Sequence, residues 1–165
     1  MRWAQGNTAL DVACGSGRHV RWLTGRGMQV TGIDRDAEAT GPLNDVAEII
    51  TADLEFGPWP LGSRQFDLVL VTNYLWRPLF PRLIAAVAPG GRLLYETFAI
   101  GQQTVGRPAR PEFLLQAGEL LTACAGLRVI GYEDGFEAGR YVQRIVAVQE
   151  QDSVELNPRY ALAAE

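Results

Sequence analysis

Thr8-Ala9-Leu10-Asp11-Val12-Ala13-Cys14-Gly15-Ser16-Gly17, followed by Met28-Gln29-Val30-Thr31-Gly32-Ile33-Asp34, are the two segments whose reading decides the fold. Residues 8–13 are a short, mostly apolar run with the length of one buried strand. Gly15 and Gly17 then allow a sharp turn and a close backbone approach to a ligand, because no Cβ stands in the way. Residues 18–25 read as a helix with Val20, Trp22 and Leu23 facing the sheet. The first N–H groups of such a helix have no intrahelical partner and can bind an electronegative group. Residues 28–33 read as a second strand, closed by Asp34, which follows Gly17 by 34 − 17 = 17 residues. That separation is close to the roughly 20 residues expected of an acid that receives a ribose diol. A strand, a glycine turn onto a helix and a carboxylate at the next strand's tip describe a nucleoside-binding crevice.

The turn also bears on which nucleoside. A dinucleotide fingerprint wants a third glycine three residues after the second, and Val20 stands there. Asp11, just before the turn, would repel a pyrophosphate but suits a ligand that carries an ammonium and a sulfonium. These features point to S-adenosylmethionine (SAM) rather than NAD(P).

The segment Leu10-Asp11-Val12-Ala13-Cys14-Gly15-Ser16-Gly17 resembles motif I of the class I SAM-dependent methyltransferases. Gly32-Ile33-Asp34 resembles their second motif, and Ala52-Asp53-Leu54 their third, whose acid meets the adenine amino group. Phe66-Asp67-Leu68-Val69-Leu70-Val71 resembles their fourth strand, and Pro89-Gly90-Gly91-Arg92-Leu93-Leu94 the turn into their fifth. The matches run in the right order along nearly the whole chain. Within the class, Gly17-Arg18-His19 and Gly118-Glu119-Leu120 are similar to the tellurite-resistance-type small-molecule methyltransferases.

The remaining pattern alternates strands with helices. A short helix is expected over 36–44, a strand over 46–51, a breaker-rich loop over 55–64 and a central strand over 66–72. A helix begins near 76–79 and continues over 81–88; a fifth strand covers 92–97. Residues 100–111 read as a mobile connection that can serve as a lid, and residues 111–123 as a helix with Phe113, Leu114, Leu120 and Leu121 inward. Strands over 127–133 and 141–149, joined by the glycine-containing 135–139, form an antiparallel pair. The fold class is therefore α/β: a doubly wound, mostly parallel seven-stranded sheet with an antiparallel C-terminal hairpin, which the resemblance makes the Rossmann-like methyltransferase fold. Residues 1–150 read as one domain and 151–165 as a polar tail.

Composition narrows the function classes. The chain has 165 residues, 47% apolar and 21% charged, as in an ordinary soluble domain. A net charge of −4 offers no basic surplus for a nucleic-acid backbone, so a small-molecule acceptor and no nucleic-acid partner are expected. No apolar stretch has the length of a membrane span and no signal-peptide pattern opens the chain, so neither membrane association nor export is expected. Cys14 and Cys124 make neither a disulfide framework nor a metal set, which fits a reducing cytoplasmic setting.

The resemblance implies that Asp11, Ala13, Gly15, Ser16, Gly17, Asp34, Arg35, Asp53, Leu54 and Asn73 line the SAM site. Asp34 receives the ribose, Asp53 and Leu54 the adenine, and Arg35 can stack on the ring; Asp67 reads as a structural acid. For the acceptor, the candidates are His19, Tyr74, Trp76 and Arg77, with the Arg107/Arg110 pair for an anionic one. Asn73 is followed by Tyr74 and Leu75 where enzymes that methylate planar nitrogens carry two prolines, which counts against a nucleobase or protein amide. The implied reaction is in-line displacement at the methyl carbon. No His–Asp pair or metal cluster commits the chain to a general base, so no catalytic residue is assigned. A SAM-binding protein without transferase activity, or an NAD(P)-dependent enzyme, are the alternatives. Only residues 1–7 precede the first motif, where the family often has a covering helix. The site is then open, covered by a partner subunit in a homodimer, or completed from upstream.

Overall fold

The computed structural model describes residues 3–151 and residue 160. Most of the tail expected over 151–165 lies outside the described residues.

The sheet has seven strands: β1 (Thr8–Val12), β2 (Gln29–Asp34), β3 (Glu48–Thr51), β4 (Phe66–Thr72), β5 (Val87–Phe98), β6 (Arg128–Glu137) and β7 (Arg140–Val148). Their order is β3-β2-β1-β4-β5-β7-β6, with β3 and β6 at the margins. Strands β1 to β5 pair in parallel, and β7 runs antiparallel between β5 and β6. The order reverses between β1 and β4, which makes their C-terminal tips the topological switch point of the sheet. Among the described residues no helix is long and apolar enough to cross a membrane.

Both faces of the central strands are buried, as their unbroken apolar runs demand. Leu10, Val12, Val69, Val71, Leu93 and Tyr95 pack on one face with Phe80 and Leu83 of α3 (Phe80–Ala85) and Leu120 of α4 (Glu119–Ala123). Ala9, Leu68, Leu70 and Leu94 pack on the other with Val20 and Leu23 of α1 (Arg18–Thr24). Adjacent residues of one strand thus serve opposite faces, the period-2 signature of a strand.

Four local expectations are corrected. Trp22 does not face the sheet: it is 38% exposed, with the Arg26 guanidinium 4.6 Å from its ring centre. The helix expected over 36–44 is a four-residue α2 (Ala37–Thr40) continued by a 3₁₀ turn at Gly41–Leu43, because Pro42 cannot donate into a further α turn. Residues 111–123 are not one helix. A 3₁₀ turn at Pro111–Phe113 leads through extended backbone to the short α4, whose start is set by Gly118 in the left-handed region (φ 74°). Leu114 and Leu120 are buried as expected, whereas Phe113 and Leu121 are exposed. The connection over 100–111 is anchored, not loose: buried Gln102 donates to the Arg107 carbonyl at 3.0 Å and accepts from the Tyr141 amide at 2.9 Å.

Asp67 is the structural acid it was read to be. Its Oδ2 accepts from the Asn7 and Thr8 amides at 2.7 and 3.0 Å, tying the entry of β1 to the start of β4. Those two bonds hold its carboxyl below the usual range.

Candidate functional site

At the switch point the backbone is strained on both sides. Ala13, after β1, and Asn73, after β4, have φ of 54° and 55°, a region that costs a residue with a Cβ about 1–2 kcal/mol. Between them runs the glycine turn. Gly15 (φ 52°) has no heavy atom within 4 Å of where a Cβ would stand, so the turn faces open space. Gly17 (φ 78°) caps α1, and a Cβ there would run into Leu43. The two glycines therefore serve different ends, one an open approach and the other close packing.

Asp34 sits at this bend. Its Oδ2 accepts from the Gly15 amide at 2.7 Å and its Oδ1 from the Asp36 amide at 3.0 Å. The carboxylate thus locks the tip of β2 onto the glycine turn and keeps lone pairs for a ligand diol. With Ala13, Arg35, Ala52, Asp53, Leu54, Glu55 and Tyr74 it lines a hollow of about 210 Å³. Six of the residues named from sequence, Ala13, Asp34, Arg35, Asp53, Leu54 and Tyr74, are brought together here. Tyr74, named as an acceptor candidate, lines this hollow beside the acids, and burial pushes its phenol up to about 12, helped by Glu55 and Asp53. Asp53 also caps its own turn, with Oδ1 accepting from the Glu55 and Phe56 amides at 2.9 and 3.2 Å. That turn brings in Glu55, a residue sequence reasoning missed; the Asp followed by Gly57 was the available signal.

Asp11 is paired with Gly32 one step inside the strand tips and is 1% exposed. Its Oδ2 is buried without a hydrogen-bond partner. Burial raises its pKa to about 7, and nearby Asp34 adds to the rise, while the Val20 amide and Arg18 oppose it. Ser16 and Asn73 are exposed on the rim of the turn and of β4.

The acceptor candidates separate. His19 accepts at Nε2 from the Arg18 guanidinium (3.1 Å), which can only donate, so its Nδ1 carries the hydrogen toward Thr72 Oγ1 at 3.3 Å. Burial lowers its pKa, and Arg18 lowers it further, which keeps the ring neutral. Trp76 packs against the core and meets the exposed Phe56 ring at 5.9 Å between centres. Arg77 is not free for an anionic acceptor. Its guanidinium donates to Glu119 (2.6 and 3.0 Å) and to the Glu112 and Leu114 carbonyls (2.7 and 2.9 Å), so it clamps the 112–119 segment to the end of β4. Arg107 and Arg110 are solvent-exposed, Arg110 facing Glu112 at 3.8 Å.

Comparison with known proteins adds to this geometry. The methyltransferase domain family matches residues 9–91, about half of the chain. Curated relatives include the tRNA U34 carboxymethyltransferase of Haemophilus influenzae (strain PittEE), 32% identical over 108 residues, covering 58% of this chain and 34% of that protein. The tRNA U34 carboxymethyltransferase of Klebsiella pneumoniae subsp. pneumoniae is 28% identical over 160 residues, covering 88% of this chain and 48% of that protein. The chain thus spans between a third and a half of the length of these relatives. Among solved structures, TehB from Haemophilus influenzae superposes with a TM-score of 0.74 at 17% identity, over 90% of this chain and 59% of that one. A TehB-like SAM-dependent methyltransferase from Corynebacterium glutamicum superposes at 0.66 and 21%, over 88% of this chain and 82% of that one. At these identities the superpositions speak to the fold, which is Rossmann-like.

Proposed function

The chain belongs to the methyltransferase domain family, and on that premise we propose that it transfers a methyl group from SAM to a small-molecule acceptor. The observation that carries this reading is the hollow in which Asp34, bonded to the Gly15 amide at 2.7 Å, faces Asp53 and Leu54. Its 210 Å³ falls short of the roughly 300–1,000 Å³ usual for a whole ligand, so it suits the adenosine half, with the methionyl half along the open glycine turn.

The residues fit the group in two further ways. Open space at Gly15 admits the close approach of a ligand, and the unpartnered, buried Oδ2 of Asp11 suits a ligand that carries an ammonium and a sulfonium. Asp34 would hold the ribose hydroxyls, Asp53 and Leu54 the adenine edge, and Arg35 the adenine face. When bound, SAM would supply a methyl carbon activated by its positive sulfur, which the acceptor's lone pair would attack in line while S-adenosylhomocysteine leaves as the neutral thioether. The protein's part is placement, worth up to about 7–11 kcal/mol for a well-aligned pair. The strained tips at Ala13 and Asn73 give rigidity to that placement. A cytoplasmic setting fits the two free thiols, Cys14 and Cys124.

A second reading, an RNA acceptor, is favoured by the names of the curated relatives. The net charge of −4 weighs against it, because phosphate contacts need a basic surplus. Side-by-side calorimetry with SAM and NAD, then a screen for S-adenosylhomocysteine release over amines, thiols, carboxylates, oxyanions and unmodified tRNA, tests both. Affinity for NAD with none for SAM removes the reading; release on tRNA alone replaces the small-molecule acceptor with RNA.

A further inference from the structure

The hollow at the end of β2 carries more acid than base. Asp34, Asp53 and Glu55 line it, and Arg35 is the only cation among the described residues that do. That leaves a surplus of two negative charges in a partly enclosed space. Glu55 is half-buried, and the Asp53 turn uses its amide, not its side chain. Among the described residues its carboxylate has no hydrogen bond or ion pair, so the fold does not require an acid there. At the glycine turn Asp11 adds a buried, unpartnered Oδ2, which Arg18 opposes. Thr72, Glu96, Arg144 and Glu133 form a row across β4, β5, β7 and β6, in which Arg144 meets Glu96 and Glu133, each at 2.9 Å. That row has no cation to spare and does not cancel the surplus.

Two uncharged side chains register this field from opposite ends of the crevice. Burial raises the Tyr74 phenol most, then Glu55, Asp53 and Asp34 raise it further, with Arg35 alone opposing them. The Cys14 thiol, beside the glycine turn, is pushed up to about 12 by burial first and then by Asp11 and Asp34. The negative potential therefore runs from the hollow to the turn.

We infer that Glu55 is a specificity-determining residue: with Asp34 and Asp53 it makes the crevice tell cofactor from product by charge, holding the sulfonium form and releasing the neutral thioether. The inference rests on the SAM reading above. SAM and S-adenosylhomocysteine share their adenosyl and methionyl parts, so contacts with base, ribose, ammonium and carboxylate are common to both. They differ by one methyl group and one positive charge. A negative surplus adds to the affinity of the first and not of the second. Each carboxylate acts across partly wetted space, so its effect is a small factor that salt screens. The neutral product then leaves more readily than the donor, which limits product inhibition.

Isothermal titration with each ligand reads the ratio of the two dissociation constants, in which the shared contacts cancel. At about pH 8 and about 20 mM salt, SAM should bind the parent roughly three- to tenfold more tightly than S-adenosylhomocysteine. The ratio should fall toward one at about 0.5 M salt. Glu55→Gln should cut the low-salt ratio roughly two- to threefold, and Arg35→Gln should raise it by a similar factor. A role confined to shape or packing would not move the ratio in opposite directions. Glu150→Gln, which breaks an exposed pair with Arg128 at the other end of the sheet, should leave it unchanged. Equal affinity for the two ligands in the parent, a ratio insensitive to salt, or an unchanged ratio in Glu55→Gln overturns the inference and leaves the SAM reading standing. Failure of both ligands to bind is a different result, and removes the methyl-transfer reading together with the charge assignment.

Discussion

Replacing Asp34 by Ala tests the crevice at its centre. The carboxylate accepts the Gly15 and Asp36 amides at 2.7 and 3.0 Å and, when SAM is present, is assigned the ribose diol. A charge-assisted hydrogen bond contributes about 1.5–3 kcal/mol, so losing the ribose bond should weaken SAM binding by about 10- to 150-fold. The same change frees the glycine turn, and losing about 1–3 kcal/mol of stability should lower the Tm by roughly 2–9 °C for a chain of this size. The two effects are separated by a control. Asp36→Ala removes a helix cap, in which Oδ1 accepts from the Glu38 and Ala39 amides at 3.1 and 2.9 Å, but leaves its own amide bonded to Asp34. It should cost about 1 kcal/mol of stability and leave SAM affinity alone. Isothermal titration of SAM at 25 °C, with thermal unfolding of each variant, measures both. SAM affinity within twofold of the parent in Asp34→Ala, in a protein that is still folded, refutes the ribose assignment.

Three further outcomes follow from the same site. Asp11 has its pKa raised to about 7, so its contribution to stability is complete below about 4 and lost as pH rises through 7. Asp11→Asn should raise the Tm at pH 8 and change it little at pH 4, and parallel pH profiles in parent and variant would contradict this. In Gly15→Ala the new Cβ enters open space at φ 52°, so the protein should stay folded at a cost of about 1–2 kcal/mol while SAM titration shows reduced affinity. Arg77→Ala should lower the Tm by a few degrees through loss of the clamp on Glu119 and the 112–114 carbonyls, with acceptor selectivity in the release assay unchanged. A selective loss of anionic acceptors in that variant would return Arg77 to the acceptor site.

The strands and the glycine crevice were legible because their signals are local. An apolar run, a pair of glycines and an acid at a fixed distance each act over a few residues, and Asp34 lies against Gly15 as the spacing implied. What escaped depends on partners distant in sequence. Arg77 reads as a free loop cation until Glu119, 42 residues away, is seen to hold it. The helix expected over 111–123 fails because that clamp and left-handed Gly118 fix extended backbone in its middle. Trp22 obeys helical spacing yet stays outside, covered by Arg26. The Thr72–Glu96–Arg144–Glu133 row crosses four strands and exists only once their register is known.

The outer strand β6 carries a consequence for how the protein behaves in concentrated solution. Among the described residues it offers an unpaired margin together with exposed Val129 and Phe136, the ingredients of strand-to-strand polymerisation. Glu133, Asp134 and Glu137 stud the same strand, and at neutral pH their mutual repulsion keeps two such margins apart. Removing these charges by substitution removes this guard, so turbidity or thioflavin fluorescence should appear in a concentrated Glu133→Gln/Glu137→Gln double variant before it does in the parent. Storage at low salt is the corresponding remedy.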